Sequence, residues 1–136
     1  MQKCRMIQLP VLGENATGYI SVTEAEKNIP FSIKRVYWIY KTPADIIRGL
    51  HAHKELMQFI IGISGEIKLK CEYIDGSEEH FVLNSPSVGL FVPQMVWRNI
   101  IFSQEAVLLC MASHLYDEND YIRDYNEFKK TAASLK

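Results

Sequence analysis

Two histidines, His51 and His53, stand two residues apart within Gly49–Gly65, Gly-Leu-His-Ala-His-Lys-Glu-Leu-Met-Gln-Phe-Ile-Ile-Gly-Ile-Ser-Gly. On a β-strand that spacing projects both imidazoles from one face. Such a pair can ligate a metal, move protons near neutral pH, or hydrogen-bond inside a core. Arg48 precedes the pair and Gln58 follows it, ahead of an apolar run. Upstream, alternation through Ile33–Tyr40 places Arg35, Tyr37 and Ile39 on one face and Val36, Trp38 and Tyr40 on the other. Arginines present forked donors that match phosphate oxygens, and tyrosine can relay a proton or donate to a developing oxyanion. Together with Arg98, these residues suit acid–base chemistry beside a bound anion.

The elements that must position them read as short strands. Met6–Leu12 is a candidate edge or exchanged strand, Gly13–Gly18 a turn, and Tyr19–Val22 a second strand. Ile33–Tyr40 has the β-branched and aromatic content of a strand, and Lys41–Ile47 is a Pro-containing loop that delivers Arg48. Leu56–Ile63 suits a buried strand. In Glu66–Tyr73, residues Ile67, Leu69, Cys71 and Tyr73 alternate inward while Glu66, Lys68, Lys70 and Glu72 point outward. Asp75-Gly76 signals a hairpin, with His80–Leu83 as its return, and Gly89–Val92, Val96–Phe102 and Ala106–Ala112 complete the set. This punctuation by Gly, Pro and Asp-Gly argues an antiparallel barrel or sandwich. From Asn119 the period changes: Tyr121, Ile122, Tyr125 and Phe128 fall at helical spacing, with Asn119 or Asp120 available as N-cap. One amphipathic helix over about 119–131 is expected, with its aromatics packed inward and a frayed end beyond it.

The 136 residues fit one domain, and 48% apolar with 23% charged residues is ordinary globular composition. A net charge of -1 gives no electrostatic case for nucleic acid. Apolar runs such as Ala106–Ala112 are far shorter than the ~20 residues of a membrane helix, and the first residues lack the apolar stretch of a signal peptide. Cys4, Cys71 and Cys110 show no CxxC spacing and read as free thiols in a reducing compartment. A soluble, cytoplasmic, single-domain protein is expected.

The histidine spacing resembles the first motif of the cupin superfamily, Gly-x5-His-x-His-x3–4-Glu-x6-Gly. Here it stands as His51-x-His53, four residues, Gln58, six residues, Gly65. The second cupin motif is recognisable but eroded over Gly89–Arg98: Pro93 is kept, Met95 replaces the usual glycine and Arg98 the histidine. A neutral amide and a permanent cation thus stand at two of four ligand positions. A guanidinium offers no lone pair and repels a divalent ion, so no metal is expected.

With these residues in place the chain resembles the nucleotide-sugar 3,4-ketoisomerases, a metal-free cupin family. The resemblance runs from about Asn28 to Lys130. It rests on Asn-Ile-Pro-Phe-Ser-Ile-Lys-Arg-Val-Tyr (28–37), Arg-Gly-Leu-His-Ala-His-Lys (48–54), Asn-Ser-Pro-Ser-Val-Gly-Leu (84–90), Pro93 with Val-Trp-Arg (96–98), and Ala-Ser-x-x-Tyr-Asp-Glu-x-Asp-Tyr-Ile-Arg-x-Tyr (112–125). It implies a cupin double-stranded β-helix (jelly-roll) barrel, no cofactor, and a homodimer exchanging N-terminal strands, here about 4–23. It implies an isomerase that moves the ketone of dTDP-4-keto-6-deoxyglucose from C4 to C3 through an enediol, in deoxy-amino sugar biosynthesis. His51 is then the main proton-transfer group, Tyr37 a relay or opposite-face acid, and His53 a residue that orients or shares the proton. Arg35 and Arg48 become diphosphate or sugar contacts, with Arg98 and Gln58 as further substrate-binding residues. Where members carry a larger residue such as Arg or Tyr before the glycine at 18, near the active-site mouth, this chain has Thr17. That leaves the C4 configuration of the product, galacto or gluco, open.

Other readings compete. A 3,5-epimerase would share the barrel and the enolising chemistry but pairs a histidine with an aspartate, and no Asp stands at matching spacing. A silent sugar-nucleotide-binding cupin would keep the arginines and tolerate loss of His51. Both histidines could be core residues, Arg98 could simply stack on Trp97, and His80 and His114 read as solvent-facing.

Overall fold

The computed structural model describes residues 1–136. Its strands are β1 (Arg5–Gln8), β2 (Val11–Glu14), β3 (Gly18–Ser21), β4 (Arg35–Ile39), β5 (Ile47–His53), β6 (Gln58–Ser64), β7 (Ile67–Glu72), β8 (Glu78–Leu83), β9 (Val88–Val92), β10 (Trp97–Phe102), β11 (Val107–Ala112) and β12 (Tyr121–Ile122), followed by helix α1 (Tyr125–Leu135). One five-stranded sheet runs β1-β9-β6-β11-β4 and the other β12-β5-β10-β7-β8, with every ladder antiparallel. The two sheets face one another in a jelly-roll-like arrangement, and hydrogen bonding stays within each sheet rather than closing a barrel. The expected strand over Met6–Leu12 is broken at Leu9-Pro10 into β1 and β2, where proline supplies no ladder donor.

Between the sheets lies the main core, where Ile67, Leu69 and Cys71 of β7 meet Leu90, Val92, Ile100, Phe102, Leu108 and Cys110. The period-two reading of β7 holds for these residues because one face is dry. It fails at Glu72, expected outward but only 8% exposed. The Tyr125 hydroxyl donates to its carboxylate oxygens at 2.8 and 2.9 Å, and Lys129 lies 3.6 Å away, which offsets the cost of burying the charge. The outer face of the first sheet is covered by Leu9, Ile29 and Phe31 over Phe59, Ile61, Phe91 and Met111. The Phe59 ring lies so close to Gly89 that a β-carbon there would fall 2.1 Å from it.

The C-terminal segment departs from the expected helix. Glu118–Asp120 is a single 3-10 turn, Tyr121–Ile122 is strand β12 paired with His53 and Ala52, and α1 begins at Tyr125. Asp124, not Asn119 or Asp120, is its N-cap, accepting from the Glu127 amide at 3.0 Å. The free edge of β5 captures residues 121–122, and Phe128 and Ile122 pack with Ala52 and Trp97. The helix continues through Leu135 with Ala132 buried, so the expected frayed end is helical. No helix is long and apolar enough to cross a membrane.

Candidate active site

A cavity of about 490 Å³ opens between β4, β5, β6 and β10. Arg35, Tyr37, Arg48, His51, Gln58 and Arg98 all line it. His53 does not: it is fully buried behind His51, with ring centroids 4.8 Å apart in an edge-to-face arrangement. Arg48 is exposed at the rim, and His80 and His114 are exposed away from the cavity. Thr17 sits in the β2–β3 turn and does not line the cavity of its own chain.

A bulge aims the histidines. The β5–β10 register shifts between Arg98 and Asn99, and Gly49 and Leu50 take φ of 83° and 54°. A β-carbon on Gly49 would meet the Arg98 carbonyl at 2.8 Å and its Cγ at 3.1 Å, so glycine lets Arg98 pass beneath β5. The Gly49 carbonyl turns to His51, whose Nδ1 lies 2.9 Å from it. A carbonyl only accepts, so Nδ1 carries the hydrogen and Nε2 keeps a bare lone pair. His53 is fixed the same way: its Nδ1 donates to Asp120 Oδ2 at 3.2 Å. Asp120 also accepts from the Glu55 amide at 2.8 Å and the Leu56 amide at 3.3 Å.

Both imidazoles are held neutral. Burial, then the Arg98 guanidinium, pushes the His51 pKa down to about 3 from its ordinary 6.5, although the Gly49 carbonyl favours the cation. Burial, then Arg98 and His51, pushes His53 down to about 2, so it meets Asp120 as a neutral N–H donor despite the carboxylate's nearness. An unfolded histidine titrates near 6.5. Between that value and about 3 the unfolded chain therefore binds protons that the native chain refuses, and stability must fall on acidification. Urea midpoints are expected to drop between about pH 7.5 and 5.5, above the carboxylate range, and to drop less in His51→Asn. Equal pH slopes in the two proteins would show that His51 is not held neutral.

On the opposite wall, burial followed by Cys110 pushes the Tyr37 phenol above its ordinary range, keeping it protonated. Gln58 Nε2 donates to its hydroxyl oxygen at 2.8 Å, and Arg98 Nη1 donates to Gln58 Oε1. Arg98 Nη2 donates to the Val96 carbonyl at 2.9 Å, while its Nε has no partner. The Arg35 guanidinium lies 5.2 Å from the Tyr37 ring and 5.6 Å from that of Tyr116, with Nε and Nη2 also unpartnered. These donors suit an anionic ligand.

The residues at the cupin ligand positions do not fit a divalent ion. One is a permanent cation and one an amide bonded to it, which leaves two imidazole nitrogens where a stable site needs three or four ligands. No three His, Cys, Asp or Glu side chains converge at any point in the structure.

Three residues of the site escaped the sequence reading. Asp120 is 67 residues from His53, and its place in the sequence suggests only a helix cap. Tyr121, expected to pack a helix, instead lines the cavity with its ring centroid 5.0 Å from His51 and 4.4 Å from His53. Arg123 lies 4.1 Å over that ring and is held by Glu118 at 2.6 and 2.9 Å. All three lie in the 112–125 stretch that carried the resemblance, and Tyr121 and Arg123 share period-two spacing.

Fold and cavity together define a two-sheet protein with an acid–base site for an anionic ligand. The family model described as FdtA: WxcM-like, C-terminal matches residues 2–133, and the chain belongs to that family. It is 42% identical over 123 residues to the TDP-4-oxo-6-deoxy-alpha-D-glucose-3,4-oxoisomerase of Aneurinibacillus thermoaerophilus, covering 89% of this chain and 87% of that one. It is similar to the sugar 3,4-ketoisomerase QdtA of Thermoanaerobacterium thermosaccharolyticum in complex with TDP, at 39% identity and a TM-score of 0.92, covering 98% of this chain and 96% of QdtA. A histidine-to-asparagine variant of QdtA has been solved with TDP-4-keto-6-deoxyglucose; its TM-score to this chain is also 0.92, at 38% identity over 98% and 96% of the chains. The dTDP-4-dehydrorhamnose 3,5-epimerase of Bacillus anthracis, at 16% identity and a TM-score of 0.75 over 87% and 76% of the chains, shares the fold alone.

Proposed function

We propose that the chain is a single-domain 3,4-ketoisomerase acting on a TDP-linked 4-keto-6-deoxy sugar, dTDP-4-keto-6-deoxyglucose in the first instance, without a metal or redox cofactor. The observation that carries this reading is the cavity wall where His51, tied through Nδ1 and bare at Nε2, shares one space with the protonated Tyr37 and the unpartnered Arg35. The C3 proton of such a sugar is acidic because it lies α to the C4 ketone. His51 Nε2 removes it, the Tyr37 hydroxyl stabilises the oxygen of the resulting enediol, and return of a proton to C4 leaves the ketone at C3. Arg35 and Arg48 receive the diphosphate. His53, with no exposed surface, acts through His51 by fixing its ring.

The working unit is proposed to be a homodimer within the cupin barrel class. Val11, Leu12, Tyr19 and Ile20 of the β2–β3 hairpin are exposed, as are Val36 and Trp38 on the outer face of β4 and Tyr40 just beyond it. The hairpin is hydrogen-bonded only to itself. A second copy exchanging these strands would cover that apolar surface and bring Thr17 to its partner's cavity mouth. Sedimentation equilibrium is expected to return twice the chain mass; a monomer at micromolar concentration would refute the exchange.

The activity is tested by proton NMR of dTDP-4-keto-6-deoxyglucose in D2O with metal-stripped protein. A 3-keto product carrying deuterium at C4 is expected, and its C4 coupling assigns the gluco or galacto configuration. Exchange at C3 and C5 without ketone migration would indicate a 3,5-epimerase instead. TDP binding with no exchange would indicate a binding protein.

A further inference from the structure

Arg98 and Gln58 stand where a cupin would place metal ligands, yet they are bonded to one another and to Tyr37 in a sequence whose direction is forced. Arg98 is 1% exposed and Gln58 3%, so neither exchanges partners with bulk water. A guanidinium has no acceptor, so the Gln58 side chain must turn its oxygen to Arg98 Nη1. Its Nε2 then faces Tyr37 at 2.8 Å and can only donate. The Tyr37 oxygen therefore accepts, and its own hydrogen points away from Gln58. The remaining polar neighbour of that hydroxyl is the fully buried Cys110 thiol, whose sulfur is a weak acceptor and lies 3.8 Å from the Met111 carbonyl. Tyr37 thus keeps one lone pair free and a hydrogen contested only by the weakly accepting Cys110 sulfur, on a side chain that lines the cavity.

We propose that Arg98 and Gln58 are positioning residues, a one-way hydrogen-bond relay that aims and polarises the Tyr37 hydroxyl, rather than contacts to the substrate. The proposal rests on the isomerase reading above and assigns to that reaction the transfer between the two sugar oxygens. When His51 Nε2 takes the C3 proton, the C–H pair becomes the C3–C4 double bond and the carbonyl pair moves to O4. O4 then takes the Tyr37 hydrogen, and the Tyr37 oxygen recovers one from the O3 hydroxyl. The O–H pair left on O3 forms the new C3 carbonyl, and the double-bond pair at C4 takes a proton, either from a solvent-exchanged His51 on the face that C3 lost it, for a galacto product, or from solvent on the opposite face with His51 releasing its proton to solvent, for a gluco product. Both side chains return to their starting states. A tyrosine with one lone pair occupied by Gln58 offers one donor and one acceptor, which is the complement of O4 and O3.

The test is Gln58→Glu, which preserves shape and the Arg98 bond but places a second acceptor against Tyr37, so the phenol hydrogen turns from the cavity to the carboxylate. With dTDP-4-keto-6-deoxyglucose, kcat is expected to fall about 100-fold with KM changed by less than about three-fold. In a Tyr37→Phe background the same change is expected to cost less than about two-fold, because the relay has lost its end point. Gln58→Met, which adds no charge beside Arg98, is expected to cost about 10-fold, again in kcat. A loss carried by KM, or an undiminished loss in the Tyr37→Phe background, would make Gln58 a substrate contact and overturn the relay. A second readout needs no turnover. In protein labelled at tyrosine Cζ, the Tyr37 13C resonance, assigned by its absence in Tyr37→Phe, is expected to move downfield in Gln58→Glu as the phenol donates to an anion. An unmoved resonance overturns the relay whether or not the protein isomerises the sugar. Absence of turnover by the wild type overturns the isomerase reading alone.

Discussion

His51→Asn is expected to lower the rate of ketone migration by about 10³-fold or more, since removal of a positioned general base costs 10²–10⁴. Asparagine is close in size and has an N–H that can still reach the Gly49 carbonyl, but an amide nitrogen has no basic lone pair to replace Nε2. TDP affinity is expected to stay within about three-fold, because Arg35 and Arg48 are untouched by the substitution. Isothermal titration with TDP and deuterium incorporation at C4 measure the two quantities on one sample. Turnover within ten-fold of wild type would place the base elsewhere, with His53 excluded from direct contact by its burial. Loss of TDP binding would make His51 a ligand contact first. The acid limb of kcat/KM in the wild type is expected below the ordinary histidine range, because burial and Arg98 keep His51 deprotonated well under 6.5.

Asp120→Ala is expected to produce the largest loss of stability among the site variants. The carboxylate accepts from the His53 ring at 3.2 Å and from the Glu55 and Leu56 amides at 2.8 and 3.3 Å. His53 and Leu56 are buried, so water cannot replace the lost acceptor, and each orphaned donor costs ~1–3 kcal/mol. A total of about 3 kcal/mol corresponds to a Tm roughly 10 °C lower for a chain of this length. The same change frees the 118–123 strap, so Tyr121 loses its register against both imidazoles and kcat should fall about 10-fold. Asp120→Asn separates the two effects. It keeps much of the packing but presents an N–H to one of the donors, so His53 can take the other tautomer. A smaller Tm loss with an equal loss of kcat is expected. A Tm unchanged within 2 °C in Asp120→Ala would show that β12 pairing and the packing of Ile122 and Phe128 hold the strap without the carboxylate.

Much of the site is legible because strand alternation is local. Period two placed Arg35 and Tyr37 on one face and His51 with His53 on another, and the structure brings Arg35, Tyr37 and His51 to one cavity. The same rule placed Ile67, Leu69 and Cys71 in the core. Alternation says nothing about depth along a face, so it could not distinguish His51, which lines the cavity, from His53 sealed behind it. Nor could it show that Glu72 would be roofed by α1 through Tyr125 and Lys129. The helical spacing of Tyr121, Ile122, Tyr125 and Phe128 is real, but the open edge of β5 outcompeted a helix for residues 121 and 122.

The residue types and their spacing by themselves determined that the chain is all-β with a terminal helix, that two imidazoles share a face, and that a guanidinium and an amide stand where metal ligands would be. Those are properties of side-chain chemistry and of a backbone period that needs no distant partner. Only the tertiary structure decided which imidazole faces the cavity, which of its nitrogens is bare, and that Asp120 lies behind the other. It alone ordered Arg98, Gln58 and Tyr37 into a directed chain. The physical reason is that tautomer and hydrogen-bond direction belong to pairs of groups, and these pairs are closed by strand packing between residues far apart in the chain.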